Sequence, residues 1–542
     1  MKLIEALGVL SRSSKYSVST LRTESTIDTL QELKDQIYIT PEIQNDFSAA
    51  LSKATRKDIF CLCGSSGDGK SEILTQLYEK FNQSVDFHLD ATHSKNQHKS
   101  AIDNLNEKFD DFKVSDKPLA IGINIGMLQK FIKQGDKRHN DIKRSFEQYF
   151  DNRHVKSFKT GNTCFYDFEC YPRIQFSCQK ITSEFISKFL NKLTEKTEGN
   201  PFWKYYQLEG NVPSKVKNNF DILSLKSFQN RLIELFGIAR LIDEKFLIPR
   251  TFVDFIYLIL TKENEDGIIG NVFTKFDNEF SHSFIKLNPI CIRSREVDSF
   301  FLEYATNTLS KEIQSDIELL NSITNISLTP QGVIQGCYLL CDETLTSQLA
   351  SFSSKSYLQK SLTNYLTLIN LFEKETLSDS DEDDYLTIVE ELLISSALNY
   401  ANRLLPAQVD GYVVSRKIQN FSICNKVNVQ ADVDWVEKHQ LVSKDIIPIS
   451  LTINDETPYI FYVDLKTMIQ AVYISNGFRP NRQNLEVIAK FDELISHIVQ
   501  GTIETDSMKL IISKSNSNSN NETISINKNR RRYSVGSRYG AS

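Results

Sequence analysis

Residues 58–71, Asp-Ile-Phe-Cys-Leu-Cys-Gly-Ser-Ser-Gly-Asp-Gly-Lys-Ser, decide the fold of this chain. An apolar run, Ile59 to Cys63, leads straight into Gly64-x-x-x-x-Gly69-Lys70-Ser71. That is the phosphate-loop pattern, in its required place after a strand and before a helix. The glycines let the backbone curl so that successive N–H groups converge on an anion. Lys70 offers a point charge to the β- and γ-phosphates, and the Ser71 hydroxyl is a ligand for Mg²⁺. Residues Glu72 to Phe81 read as the following helix, with Ile73, Leu74, Leu77 and Phe81 on one face. Its first turn aims the positive end of the helix dipole at the phosphates. ATP with Mg²⁺ is therefore the expected ligand, held by Gly64, Ser65, Ser66, Gly67, Asp68, Gly69, Lys70 and Ser71. The bland alternative is a Gly-Ser turn that only resembles such a loop.

Working outward, residues 1–54 read as an N-terminal helical segment, with a helix over Glu42 to Ala54 opened by Pro41. After the loop, strands and helices alternate. Strands are expected at Val85–Leu89, Leu119–Ile123 and Thr163–Phe168, with helices at 100–112 and 141–150 between them. Longer helices follow at 182–196, 224–243 and 251–262. Such alternation implies a parallel sheet covered by helices on both faces. The expected architecture is an α/β P-loop NTPase, AAA+/ASCE-like, over 55–265 with a helical lid. A mainly α-helical C-terminal domain is expected over 266–512 and a flexible polar and basic tail over 513–542. The acidic run Asp379 to Asp384 reads as a solvated loop.

Composition narrows the class. A chain of 542 residues needs more than one core. Its 40% apolar and 24% charged residues are those of a globular protein, and a net charge of −6 gives no global sign of nucleic-acid affinity. Arg530, Arg531 and Arg532 form a local basic triplet, read as a solvated tail or a phosphate contact. The nine cysteines include Cys61 and Cys63 on the expected central strand and an isolated Cys337/Cys341 pair, so buried thiols in a reducing compartment are expected rather than a zinc site. No apolar run reaches transmembrane length, and the Met1–Leu10 stretch is interrupted by Glu5. A cytoplasmic protein with no membrane partner is expected.

Hydrolysis needs more than the loop. A carboxylate at a neighbouring strand end normally holds Mg²⁺ through water, and another activates the attacking water. Three strand ends compete: Asp90, Asn124 and the Asp167/Glu169 pair. Asp90 is the slightly favoured Mg²⁺ residue beside Ser71. Asn124 is an amide, able to orient water but a poor base. His93 reads as a loop hydrogen-bonding residue. Arg250, at the start of a helix after Pro249, is placed to reach a γ-phosphate in cis or across a subunit boundary, or to form a surface ion pair.

The motifs, taken in order, resemble the DptF family. They are Cys63–Glu72, Leu-Asp-Ala-Thr-His-Ser (89–94), Gly-Ile-Asn-Ile-Gly-Met-Leu (122–128), Asp-Phe-Glu-Cys-Tyr-Pro-Arg (167–173), Gly-Asn-Pro-Phe (199–202), Pro-Arg-Thr-Phe-Val-Asp-Phe-Ile-Tyr (249–257) and the run 287–298. DptF proteins are P-loop subunits of bacterial DNA phosphorothioation-dependent restriction systems. The resemblance implies an ATP-binding subunit, expected to be an ATPase, that acts on DNA lacking phosphorothioate. It implies partner subunits, one a helicase-like ATPase, and contact with DNA through that complex. Two rival readings stand beside it. One is an ATP-dependent switch or assembly subunit without appreciable hydrolysis; the other is a stand-alone P-loop ATPase of replication or signalling type.

Overall fold

The structure, a computed structural model, describes residues 1–14, 29–89, 100–153, 155–177, 180–210, 212, 214–291, 295–340, 345, 349, 352, 357–403, 405, 411–418, 421–441, 443–454, 458–478, 485–501, 507–512, 522–529 and 532–538. The chain divides into two compact units. The first comprises Met1–Gln175, Thr182–Ala239 and Lys245–Ser353; the second comprises Phe176–Ile181, Arg240–Glu244 and Ser354–Ser542. The expected segments 1–54 and 55–265 thus fall in the first unit apart from 176–181 and 240–244, and that unit runs on well past 265.

The first unit is built on five strands: β1 (Ile59–Gly64), β2 (Asp86–His88), β3 (Leu119–Asn124), β4 (Ser157–Thr160) and β5 (Thr163–Asp167). They form one sheet in the order β2-β3-β1-β5-β4. β1, β2, β3 and β5 are parallel, and β4 is an antiparallel edge strand. β4 is absent from the sequence reading because its residues, alternately exposed and half-buried, give no apolar run. It returns into β5 through Gly161, whose φ of +56° suits a tight turn.

Every residue of β1 is buried, as a central parallel strand requires. Alternate side chains serve two different layers. Ile59, Cys61 and Cys63 join a core with helices α5 (Ala101–Val114), α6 (Ile125–Gln134) and α7 (Asn140–Asp151), through residues such as Phe109, Phe131 and Phe146. Phe60 and Leu62 face the opposite way, into a core with α3 (Glu42–Leu51) and α4 (Lys70–Phe81), through Phe47, Ile73, Leu74 and Leu77. Helices therefore cover both faces of the sheet, and its α/β character follows from the period-2 alternation of one apolar strand. Shorter helices precede these, α1 (Leu3–Leu7) and α2 (Thr29–Ile37), so the N-terminal stretch is helical where it is described. Two short strands, β6 (Gln175–Ser177) and β7 (Lys180–Thr182), form a separate two-stranded sheet, and after them the first unit is helical, from Glu184–Thr194 to Pro330–Leu340.

The thiols behave as the burial dictates. Cys61 and Cys63 are fully buried, and burial pushes both thiols up, with the Asp167 charge adding to the effect at Cys63. Cys291 is exposed, whereas Cys337 and Cys424 are buried; Cys341 lies outside the described residues. In native protein at pH 8, an alkylating probe should modify Cys291 while Cys61 and Cys63 stay unmodified until denaturant is added. Peptide mapping checks this, and modification of Cys61 or Cys63 at the rate of Cys291 would contradict the burial.

In the second unit the helical expectation holds for Tyr357–Phe372 and for the run from Asp379 to Ala401. The acidic residues Asp379–Asp384 are not a loop: they form most of a helix, Asp379–Leu386. Ser378 caps it, its Oγ accepting from the Asp381 N–H while the Asp381 carboxylate accepts from the Ser378 N–H. Acid side chains at a helix N-terminus are stabilised by its dipole, which is why a Ser/Asp-rich run can open a helix. A hydrogen bond from Lys374 and the capping contacts pull the Asp381 carboxyl down to about 2. The strands that follow depart from the helical reading. β10 (Val429–Ala431), β11 (Ile447–Ile453) and β12 (Tyr459–Val463) make a three-stranded antiparallel sheet. A five-stranded sheet joins β8 (Tyr412–Ile418), β9 (Phe421–Lys426), β13 (Ser507–Ile512), β14 (Glu522–Asn529) and β15 (Arg532–Arg538) in the order β15-β14-β13-β9-β8. The expected flexible tail over 513–542 is therefore corrected: two of its segments, β14 and β15, are paired strands. The reason is legible in Thr523-Ile-Ser-Ile, a β-branched alternation hidden behind the Ser/Asn-rich run. Arg530 and Arg531 lie outside the described residues, and Arg532 opens β15.

Candidate nucleotide site

The loop Gly64–Ser71 leaves the C-terminal end of β1 and enters α4, whose first residue is Lys70. Two of its glycines take left-handed backbone angles, Gly67 at φ +88° and Gly69 at φ +99°, a region that residues with a Cβ rarely occupy. At Gly67 the space is also closed: a Cβ would lie 2.9 Å from Ile248 Cγ2 and 3.5 Å from Arg250 Cβ. At Gly64 a Cβ would lie 2.7 Å from Asp68 Oδ2 and 2.9 Å from the Phe168 ring. Gly64 is thus required by packing, Gly69 by backbone conformation and Gly67 by both.

Lys70 is buried, and its ammonium is turned into the loop, donating to the Gly64 carbonyl at 3.1 Å and the Ser65 carbonyl at 2.5 Å. The Asp68 carboxylate faces the other way and accepts from the Ser65 N–H at 2.5 Å. Behind it stands Arg173, whose guanidinium donates to the Asp68 carbonyl at 2.9 Å and to the Leu247 carbonyl at 3.3 Å. The Arg173–Asp68 charge separation is 3.8 Å. The guanidinium lies over the Phe168 and Phe185 rings, at 5.1 Å and 5.8 Å from their centres. Burial pushes the Asp68 carboxyl up, against the opposing pull of Arg173 and Lys70. Burial also lowers the pKa of Arg173.

A cleft of about 360 Å³ opens beside the loop, lined by Gly64, Ser65 and Ser66 on one wall and by Asn124, Ile125, Gly126, Met127 and Lys130 on the other. It lies over the carboxyl ends of adjacent parallel strands, β1 and β3, with Gly64 and Asn124 directly paired. That is where ligands bind in open α/β sheets. Asn124 is the N-cap of α6, yet its carboxamide makes no capping bond, which leaves the amide available to the cleft. Ser71 lies one residue into α4, with its hydroxyl 3.4 Å from the Leu89 carbonyl. Ser71 therefore lies beside the chain that leads out of β2 toward Asp90.

The predicted site residues fare differently. Gly64 to Ser66 and Asn124 meet at the cleft, whereas Arg250, in the first turn of the helix Pro249–Thr261, has side-chain carbons near Gly67 and does not line the cleft. Asp167 ends β5 beside Cys63 but does not line the cleft. It is buried, and its Oδ2 accepts from the Tyr149 hydroxyl and, at 3.3 Å, from both Nε and Nη2 of Arg153. Burial, the neighbouring Cys63 and this bond to Asp167 push the Tyr149 hydroxyl up. Asp167 is thus a buried structural carboxylate, committed to a tyrosine and an arginine rather than presented to a ligand. Asp90 and His93 lie outside the described residues. Arg173 enters the sequence reading only as the end of the 167–173 motif, and its place behind the loop, like that of Lys130 across the cleft, is set only by folding. Among the described residues, no group of three or more His, Cys, Asp or Glu side chains gathers as a metal cluster, and no helix is long and apolar enough to cross a membrane.

This geometry defines an α/β protein whose mostly parallel sheet carries a glycine-rich loop between its central strand and a helix. No family model, curated protein or solved structure significantly matches the chain.

Proposed function

We propose that this protein is a P-loop NTPase that binds ATP·Mg²⁺ in the cleft between Gly64–Ser71 and Asn124–Lys130. In this reading it is the ATPase subunit of a multi-protein restriction system acting on DNA that lacks phosphorothioate. The observation that carries nucleotide binding is the loop itself. Left-handed glycines, an inward-turned Lys70 and the start of α4 converge at the end of the central strand. Backbone N–H groups and a helix N-terminus suit phosphate. The Ser71 hydroxyl, with Asp90, would hold Mg²⁺, which supplies charge neutralisation of the phosphates when bound. Asn124 orients water at the cleft and Arg250, against Gly67, supplies charge near the terminal phosphate. The biological setting rests on the likeness of the motifs from 63 to 298 to DptF. With a net charge of −6, firm contact with DNA is assigned to the assembled complex, because DNA affinity comes mainly from phosphate neutralisation.

A second reading, an ATP-dependent switch with little turnover, is favoured by the neutral Asn124 and by the commitment of Asp167 to Tyr149 and Arg153. ATP turnover measured with and without the partner subunits and duplex DNA separates the two. In the host, deletion of the gene should abolish restriction of unmodified DNA, and the Lys70→Ala variant should not restore it. Continued restriction after the deletion would remove the restriction assignment and leave nucleotide binding to be judged alone.

A further inference from the structure

The cleft contains one charged side chain that the loop motif does not include. Lys130 stands on α6, on the wall facing Gly64, Ser65 and Ser66, and is the only charged residue among those that line the cleft. It is exposed, and its ammonium makes no hydrogen bond or ion pair with any described residue. The nearby carboxylates are engaged elsewhere: Asp68 with the Ser65 N–H, Glu72 with Lys34 at 2.7 Å, and Asp167 with Tyr149 and Arg153. Lys70 adds a second cation to the loop. The charge carried by the described lining residues is therefore positive, and it attracts an anion.

The position of Lys130 selects which part of the anion it meets. In a phosphate loop, the helix N-terminus holds the inner phosphates and the loop lysine reaches the β- and γ-phosphates. The strand end, Gly64–Ser66, is left to the terminal phosphate, and this is the wall that Lys130 faces. A lysine ammonium on a flexible stem can close on a phosphate oxygen without the fixed geometry an arginine demands. Resting on the nucleotide-binding reading, we propose that Lys130 is a second cation for the terminal phosphate and sets the preference for a nucleoside triphosphate over a diphosphate. A diphosphate ends short of it and gains little from its charge.

The test is titration of the full chain with Mg·ATP and with Mg·ADP by calorimetry. Lys130→Ala should weaken ATP roughly tenfold while leaving ADP within about twofold, the loss of one close charge pair across a partly solvated cleft. Lys130→Gln, which keeps most of the stem, should behave the same way. Lys133→Ala, an exposed lysine of the same helix outside the cleft, should change neither affinity. Equal weakening of ATP and ADP, or no change in either, overturns the assignment of Lys130 while leaving nucleotide binding intact. Wild-type protein that binds neither nucleotide overturns both.

Discussion

Lys70→Ala should weaken ATP binding by roughly 2–5 kcal/mol, a loss of about 30- to several-thousand-fold in affinity. The ammonium is buried and already aimed into the loop, at the Gly64 and Ser65 carbonyls. A bound triphosphate meets a charge whose side chain is ordered before it arrives, so little entropy is spent in placing it. The alanine leaves phosphate charge poorly compensated at a helix N-terminus that supplies only partial charges. It also frees two loop carbonyls, so the effect extends to ADP, unlike the change expected at Lys130. Calorimetric titration of both proteins with Mg·ATP checks this, and equal affinities would end the phosphate-loop reading.

Arg173→Ala should cost about 3–5 kcal/mol of stability, the usual penalty for removing one member of a buried charged pair. Arg173 binds two carbonyls, Asp68 and Leu247, and faces the Asp68 carboxylate from behind the loop. Without it, that largely buried carboxylate loses its nearer counter-charge and keeps only Lys70. The Phe168 and Phe185 rings lose the guanidinium stacked over them. Adding Asp68→Asn should recover part of the loss, because a neutral amide is cheaper to bury than an uncompensated charge. Urea denaturation of the wild type, the single variant and the double variant reads this out. An unchanged midpoint for Arg173→Ala would show that the brace carries no energy. Lysine is a poor substitute here, since a point charge cannot satisfy two carbonyls and two ring faces at once.

What the sequence disclosed follows from how local each signal is. β1, the glycine loop and α4 are contiguous, so their geometry is written in neighbouring residues and was legible as such. Asn124 was legible for the same reason, as the end of an apolar run. Arg250 was legible only as a helix start; its contact with Gly67 depends on folding across the intervening chain. Asp167 shows the limit of the approach. Its place at a strand end is the right kind of place for a Mg²⁺ carboxylate, and nothing adjacent reveals that Tyr149 and Arg153 claim it. Arg173 gains its place behind Asp68, and Lys130 its place across from Gly64–Ser66, only by folding, and no spacing rule points to either. The strands of the second unit were missed for a different cause: the chain around them was read as helical and its end as a polar tail, so the alternation in Ile447-Pro-Ile-Ser-Leu-Thr-Ile and in Thr523-Ile-Ser-Ile went unweighed.

The pairing of β9 with β13 sets an order of events during synthesis. Phe421–Lys426 lies against Ser507–Ile512, so the hairpin of β8 and β9 leaves the ribosome well before its neighbour. In that interval the outer row of β9 amides and carbonyls is an open template for any extended chain nearby. Closure waits on the helix Leu485–Gly501 and the strands beyond it, and such distant pairing is slow. A nascent chain stalled anywhere between 427 and 506 presents that edge without its native partner. In the cell, a premature stop in this interval would therefore produce not merely a shortened chain but a sticky one, and its burden would fall on the chaperones.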